Sequence, residues 1–342
     1  MATERPKYSY IPRRNIVQSN PLHKHSHFEH LTTLARTGET LEILQHDCES
    51  TDIMVTTATQ TQQPINFGVK SSNPIDIPRG PVETSLTFYA PPADGSAPFN
   101  YVEKPPPGEP QRNYSEDTHP VTVHDIRGHE TEYDFNINGF GVLQNQPPSA
   151  EKDFTSDDSI KANYYPEVEK LLLDNVPGAN RIFFFDHTVR RSHPDAPRAP
   201  VTRAHIDQTR ASAEARVHHH MGDEAPELLK SRVRLINVWR PLNGPVVASP
   251  LAYADSRTVP DDQIVGVEHR YPHRTGETAG VKYAPEGKWH YLSGMRNDER
   301  ILLQCYDSKD GARTPHSAFV DPRTKEDWPG RESIEVRALV FG

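Results

Sequence analysis

From Val82 to the C-terminus the chain is built of short runs in which apolar residues alternate with polar ones or stand side by side. Ser85-Leu-Thr-Phe-Tyr89 alternates, as does most of Val121-Thr-Val-His-Asp-Ile126, and beyond the turn pair Arg127-Gly128 the alternation resumes over Thr131–Ile137. Period-two alternation on both sides of a turn predicts a β-hairpin. Arg181-Ile-Phe-Phe-Phe-Asp186, continued by His187–Arg190, is the unbroken aromatic kind of strand that is buried on both faces. Further short strands are predicted at Val233–Trp239, Pro250–Ala254, Ile264–Val267, Gly280–Tyr283, Trp289–Leu292, Arg300–Tyr306, His316–Val320 and Glu332–Phe341, with turn residues between them. Helical spacing is confined to three stretches. His30–His46 places Leu31, Leu34, Leu41 and Leu44 on one face, with Gly38 weakening it. Asp153–Asp174 has Ser156 or Asp157 as N-cap, Val168, Leu171 and Leu172 as its stripe, and Pro177-Gly178 as its stop. Thr209–Leu229 is the third, with Pro226 disturbing its end. Such a series lacks a βαβ rhythm and a glycine-rich phosphate loop. It predicts a mainly β chain, a double-stranded β-helix (jelly roll) backed by a few α-helices.

The pattern divides the chain at about residue 81. Residues 1–81 are polar and loop-rich, with Thr51–Pro81 dominated by Thr, Gln, Pro and Ser, and residues 82–342 hold the predicted jelly roll. Composition adds constraints. Thirty-two prolines suit many loops around a β core. A net charge of −9 without a basic stretch argues against nucleic acid as a partner. No apolar run is long enough for a bilayer span, which points away from a membrane. Two cysteines, Cys48 and Cys305, make neither a disulfide framework nor a thiolate metal motif, so the expected compartment is the cytosol. The pattern says nothing of oligomeric state.

The chemistry gathers in Pro200-Val-Thr-Arg-Ala-His-Ile-Asp-Gln-Thr209. On a strand, positions i and i+2 point the same way, so His205 and Asp207 present an imidazole and a carboxylate to one side. A second imidazole downstream completes a 2-His-1-carboxylate triad, the set that leaves an iron ion with open positions. His316 in Thr314-Pro-His-Ser-Ala-Phe319 is the candidate, although a histidine beside proline is equally at home on a surface. Metal–imidazole bonds of about 2.0–2.1 Å require the nearest ring nitrogens of the two histidines to lie within about 5 Å. In the last strand Arg331, Ser333, Glu335 and Arg337 share one face, and Ile334, Val336, Ala338 and Val340 the other. If the apolar face packs on helices, the arginines turn inward, and an inward guanidinium calls for a carboxylate. Arg331 with Ser333 suits the distal carboxylate of 2-oxoglutarate, with Arg337 as the second candidate anchor; pairing with Glu332 or Glu335 is the plainer alternative. Asn237, Trp239, Tyr283 and Tyr291 lie on core strands, where they line a pocket or simply pack with their polar tips satisfied. Phe185-Asp186-His187-Thr188 is placed to orient a metal ligand or to serve a structural network. Consecutive histidines diverge on helix and strand alike, so His218-His219-His220 is a poor chelator, and Cys305 between Gln304 and Tyr306 reads as a core residue.

From about Leu86 onward the chain resembles the fungal hydroxylase/desaturase family, the aspergillic-acid-type hydroxylases grouped with gibberellin desaturases and 7α-cephem methoxylases. The stretches that carry the resemblance are Val123-His-Asp-Ile-Arg-Gly128, Asn138-Gly-Phe140, Tyr164-Tyr-Pro-Glu167, Phe185-Asp-His-Thr188, His205-Ile-Asp207, Asn237-Val-Trp-Arg-Pro-Leu242, Tyr306-Asp-Ser308, Pro315-His-Ser-Ala-Phe319 and Arg331-Glu-Ser-Ile-Glu-Val-Arg337. The resemblance implies a non-haem Fe(II)/2-oxoglutarate-dependent dioxygenase using O2 on a C–H bond of a small secondary-metabolite precursor. The expected outcome is hydroxylation, desaturation or oxidative cyclisation. Its metal motif falls on His205, Asp207 and His316 and its co-substrate arginine on Arg331. The rival expectations are a metal oxidase or isomerase without 2-oxoglutarate and a non-catalytic cupin-like binding protein.

Overall fold

The computed structural model describes residues 75–342. The predicted His30–His46 helix and most of the Thr51–Pro81 linker lie outside those residues. In chain order the strands are β1 Val82–Ala90, β2 Phe99–Tyr101, β3 Ser115–Asp125, β4 Phe140–Leu143, β5 Arg181–Arg191, β6 His205–Ile206, β7 Val233–Pro241, β8 Leu251–Ala254, β9 Ile264–Tyr271, β10 Arg274–Val281, β11 Trp289–Tyr291, β12 Arg300–Asp307, β13 His316–Ala318 and β14 Glu332–Phe341. They form a nine-stranded sheet in the order β1-β3-β11-β8-β13-β6-β10-β9-β2 and a five-stranded sheet in the order β4-β12-β7-β14-β5. The two sheets face each other as a jelly roll.

The alternation along β14 decides which way the charged residues point. Ile334, Val336, Ala338 and Val340 join Ile236 and Val238 of β7 on the outer face of the five-stranded sheet. There they pack against Val168, Leu171 and Leu172 of the Tyr165–Asn175 helix, with Phe154 and Ile160 from the turn before it. Leu171 and Leu172 are buried, as are the strand residues beneath them. Covering that face with apolar side chains leaves the opposite face, with Ser333, Glu335, Arg337, Asn237 and Trp239, for the space between the sheets. A separate cluster that includes Val82, Leu86, Phe88, Ile206, Ala252, Ala279, Leu339 and Phe341 fills the rest of that space.

Two expectations fail locally. The second arm of the predicted hairpin, Thr131–Ile137, is not a strand: Glu130–Glu132 is a 3-10 turn and Phe135–Asn138 a single helical turn. The Asp134 carboxylate accepts the Asn136 and Ile137 amides, and Gly139 closes the turn in the left-handed region at φ +81°. Local capping outweighs alternation here. The partner of β3 is β1, antiparallel over Val82–Ala90, and β11 runs parallel to it on the other side. The Thr209–Leu229 helix breaks earlier than expected, at Gly222 after Arg210–Met221. Pro226 opens the following turn, Ala225–Leu228, where its missing amide costs nothing.

Candidate active site

His205 sits on β6, Asp207 follows it by two residues, and His316 opens β13 as the direct cross-strand partner of His205. Two histidines in register on adjacent antiparallel strands bring their rings together, and the centroids are 4.5 Å apart. One ligand atom from each of the three residues lies within 4.8 Å of the others, inside the spacing a shared ion requires. Among the described residues no other group of three such side chains is so placed. His218–His220 do not meet around a common point.

Each ring is aimed by its far nitrogen. His205 Nδ1 lies 2.8 Å from the Arg203 carbonyl and His316 Nδ1 3.1 Å from the Thr314 carbonyl. Both are read as N–H donors, which leaves both Nε2 atoms as bare acceptors. Thr314 is itself fixed: its amide donates to Gln304 O at 2.7 Å and its hydroxyl to Gly139 O. The Gly139 carbonyl also takes the Gln304 amide, so the left-handed residue that closes the Phe135–Asn138 turn is a prop for His316. His316 Nε2 is buried and has no hydrogen-bond partner. Two bare Nε2 atoms and a carboxylate facing one another lack a proton to share and call for a cation.

The electrostatics agree. Burial, reinforced by the facing His316, pushes the His205 imidazole down to about 4, so it is neutral at pH 7. Burial alone raises the Asp207 carboxyl, but Arg337, the two histidines and the Asn237 hydrogen bond outweigh it and hold the group well below the usual carboxylate range. His205 and Asp207 are thus already in the deprotonated form a metal needs.

Beside the triad, Arg190, Trp239, Arg331 and Glu335 line a small, partly open cavity with His205 and His316. The Arg331 guanidinium is 2 % exposed and donates only through Nη1, to the Ser249 carbonyl at 2.6 Å. Ser249 is held at φ +47° to offer that oxygen. Arg331 Nε has no partner, and neither does the buried Ser333 hydroxyl. The ring of Trp239 lies 5.3 Å from Arg331 Cζ. Burial first, and then the charge of Arg190, pushes Arg331 down to about 9 against the pull of Glu335. A buried guanidinium with one neutral carbonyl partner and a hydroxyl with none suit an anion, and a carboxylate matches the fork. Arg331 makes neither of the plainer pairings, since Glu332 bonds Arg191 at 2.7 Å and Glu335 bonds Arg190 at 2.8 Å, whereas Arg337 does reach Glu335, Nη1 to Oε1 at 4.0 Å.

The remaining candidates sort by place. Arg337 is taken up by Asp186, by Asp207 at 3.1 Å and by Thr188 at 3.3 Å, so its donors turn toward the metal carboxylate and away from the cavity. Asn237 donates to Asp207 Oδ2 at 2.9 Å. Tyr283 stacks on His119 and meets Phe88 edge-on, and the Tyr291 hydroxyl bridges Gly80 O and Arg323; neither lines the cavity. Cys305, expected only to pack, has its Sγ 3.4 Å from Asp207 Oδ2. Burial, and then the charge of Asp207, holds this thiol well above its ordinary value, so it stays a donor.

With this geometry in hand the relatives are informative. A family model described as an oxidoreductase/YMDC permease-like domain matches residues 86–341. The hydroxylase/desaturase poxK of Penicillium oxalicum is 36% identical, over 77% of this chain and 92% of that protein. The Fe(II)/2-oxoglutarate-dependent dioxygenase nvfI of Aspergillus novofumigatus is 34% identical, over 76% of this chain and 96% of its own. The chain belongs to the fungal hydroxylase/desaturase family of Fe(II)/2-oxoglutarate-dependent dioxygenases. The solved structure of the iron and alpha-ketoglutarate-dependent endoperoxidase NvfI matches with a TM-score of 0.71 at 32% identity, over 78% of this chain and 99% of that one. Dioxygenases of this family are jelly rolls, and the two sheets described above are that fold. No helix among the described residues is long and apolar enough to cross a membrane.

Proposed function

We propose that His205, Asp207 and His316 hold the iron of this dioxygenase, and that Arg331 and Ser333 bind the distal carboxylate of 2-oxoglutarate. The reaction is oxidation of a C–H bond in a small secondary-metabolite precursor. The observation that carries the reading is a pairing in one cavity: a bare His316 Nε2 in the triad, and the Arg331 guanidinium with its Nε unpartnered; the partnerless Ser333 hydroxyl stands two residues along the same strand face. Iron bound at the triad supplies the activation of dioxygen that couples decarboxylation of 2-oxoglutarate to oxidation of the substrate.

The chain's own part is placement. The carbonyls of Arg203 and Thr314 fix the two rings so that their Nε2 lone pairs converge. Asp207 contributes the negative charge, kept ionised by Arg337. Arg331 offers a fork whose Nη1 is anchored on Ser249 and whose Nε is free, and the Ser333 hydroxyl adds a second donor. Trp239 gives the cavity an apolar wall, and Arg190 neutralises Glu335 so that this carboxylate does not repel an incoming dianion. This catalytic domain occupies 82–342, with residues 1–81 as a separate extension, and works in the cytosol. Two contacts extend the body slightly: Arg79 and Gly80 already bond Ser293 and Asp125.

The test is incubation of the purified protein with Fe(II), 2-oxoglutarate and labelled dioxygen. Succinate carrying one labelled oxygen is expected even without the native substrate, at a slow uncoupled rate. Folded, iron-loaded protein that consumes neither 2-oxoglutarate nor oxygen would overturn the reading.

A further inference from the structure

The five-stranded sheet breaks register twice, and both breaks fall at residues that act on Asp207. Between β5 and β14, Arg337 is opposite Asp186 while Ala338 is opposite Phe184, so Phe185 is the extra residue. In strict alternation Phe185 and Asp186 face opposite ways. Here Phe185 packs with the core between the sheets, and Asp186 also turns in, reaching Arg337 through Oδ1–Nε at 2.7 Å and Oδ2–Nη2 at 3.1 Å. Between β12 and β7, Gln304 is opposite Ile236 and Tyr306 opposite Leu235, so Cys305 is the extra residue, and its thiol lands on Asp207. A bulge gives up ladder bonds and persists where it re-aims a side chain.

The two oxygens of Asp207 end in different surroundings. Oδ2 accepts from Asn237 Nδ2 at 2.9 Å and from the Cys305 thiol at 3.4 Å. Oδ1 accepts one bond, from Arg337 Nη1 at 3.1 Å, and otherwise faces His205 Nε2 at 3.8 Å. A free guanidinium would take a carboxylate by both oxygens, as a fork. Asp186 already holds the Nε and Nη2 edge of Arg337, so Asp207 receives a single donor and keeps a lone pair of Oδ1 on the side of the histidines.

We propose that Arg337, steered by Asp186, and the bulged Cys305 are positioning residues that commit Asp207 to binding the metal through Oδ1 alone. The proposal rests on the triad reading above. A one-oxygen ligand leaves the ion one more open position than a carboxylate that binds by both oxygens, and open positions are what co-substrate and dioxygen require.

Cobalt(II), whose visible bands weaken as coordination number rises, is the probe, titrated anaerobically into the full-length protein. Asp186→Asn frees the Arg337 fork to capture both Asp207 oxygens, and the cobalt Kd should rise about 10–100-fold, the usual range for a group behind a metal ligand. Cys305→Ala frees Oδ2, and the bands should weaken; Cys305→Ser restores a donor and should restore them. If Asp186→Asn fails to fold by near-ultraviolet circular dichroism, Thr188→Val, which removes the other bond on Arg337 Nη2, takes its place with a smaller rise in Kd. Asp207→Ala separates the two levels. Cobalt binding unchanged in Asp207→Ala overturns the triad and this proposal together. Binding lost in Asp207→Ala but unchanged, in Kd and spectrum, in the other folded variants overturns the positioning alone.

Discussion

The two sheets divide the labour of the site unevenly. The nine-stranded sheet is the larger, yet it contributes the histidines from its shortest strands, β6 of two residues and β13 of three. The five-stranded sheet contributes no residue of the triad. Its long strands β7 and β14 carry what surrounds the triad, Asn237, Trp239, Ser333, Glu335 and Arg337, with Arg331 in the residue just before β14. The Tyr165–Asn175 helix packs across the back of those strands. Each short strand holds its ring by one hydrogen bond at Nδ1 and by pairing with a neighbour on either side; a long, backed strand holds a row of side chains at fixed spacings of about 6–7 Å along one face. The ligands thus come from short strands flanked on both sides, while the charges that orient them, and the proposed co-substrate anchor, stand on the long strands opposite.

If that division is right, changes on the two sheets should separate cleanly. The largest effect belongs to the nine-stranded side. His316→Ala removes a ligand and should abolish stoichiometric iron binding in equilibrium dialysis, while 2-oxoglutarate binding through Arg331 survives only weakly. Next comes Arg331→Ala on the wall. Truncating one partner of a buried charge pair costs about 2–5 kcal/mol, so the Kd for 2-oxoglutarate should rise by at least about 30-fold with iron affinity unchanged, as calorimetry would read.

A pH experiment sharpens the contrast within the nine-stranded sheet itself. His290 on β11 is buried among Tyr133, Phe140 and His124 with both ring nitrogens unpartnered, and burial, then His124, pushes it down to about 4. Its folded value lies below the unfolded one of about 6.5, so the unfolded state takes up the proton first. The stability is therefore whole above pH 6.5 and is lost as pH falls toward 4. His205 follows the same sign over the same window. Metal should protect His205 and leave His290 untouched. In chemical denaturation, His290→Phe should flatten part of the acid slope with or without metal, whereas cobalt, which needs His205 unprotonated, should raise stability at pH 7 and make its loss on acidification steeper. The smallest effect is Ser333→Ala, the loss of one hydrogen bond of about 0.5–1.5 kcal/mol, seen as a few-fold higher KM for 2-oxoglutarate.

Much of this wall was legible in the chain. Alternation along Arg331–Phe341 sorted its two faces correctly, because one face is fully covered by apolar partners and a one-residue slip would bury charge. The spacing of His205 and Asp207 carried the site for the same reason. What alternation cannot encode is a bulge. Asp186 acts on the site only because the extra residue Phe185 turns it inward, and no pattern of residue types around Phe185 announces it; Cys305 follows the inward face of Ile301 and Leu303, but that its thiol meets Asp207 depends on a residue far away in sequence. Thr131–Ile137 misled because Asp134 and Gly139 cap a helical turn more strongly than alternation favours a strand. Tyr283 and Tyr291 lie on or beside the core strands as expected, but which buried aromatic lines a cavity is set by neighbours far away in sequence, here His119 and Arg323.

The most direct measurement is an anaerobic titration of metal-free protein with Fe(II) and 2-oxoglutarate, followed by the weak visible charge-transfer band of the iron chelate, with His205→Ala alongside. A band is expected that saturates at one equivalent, is absent in His205→Ala and needs far more 2-oxoglutarate in Arg331→Ala. Folded protein that binds iron at the triad and shows no band at any 2-oxoglutarate concentration would contradict the proposed function.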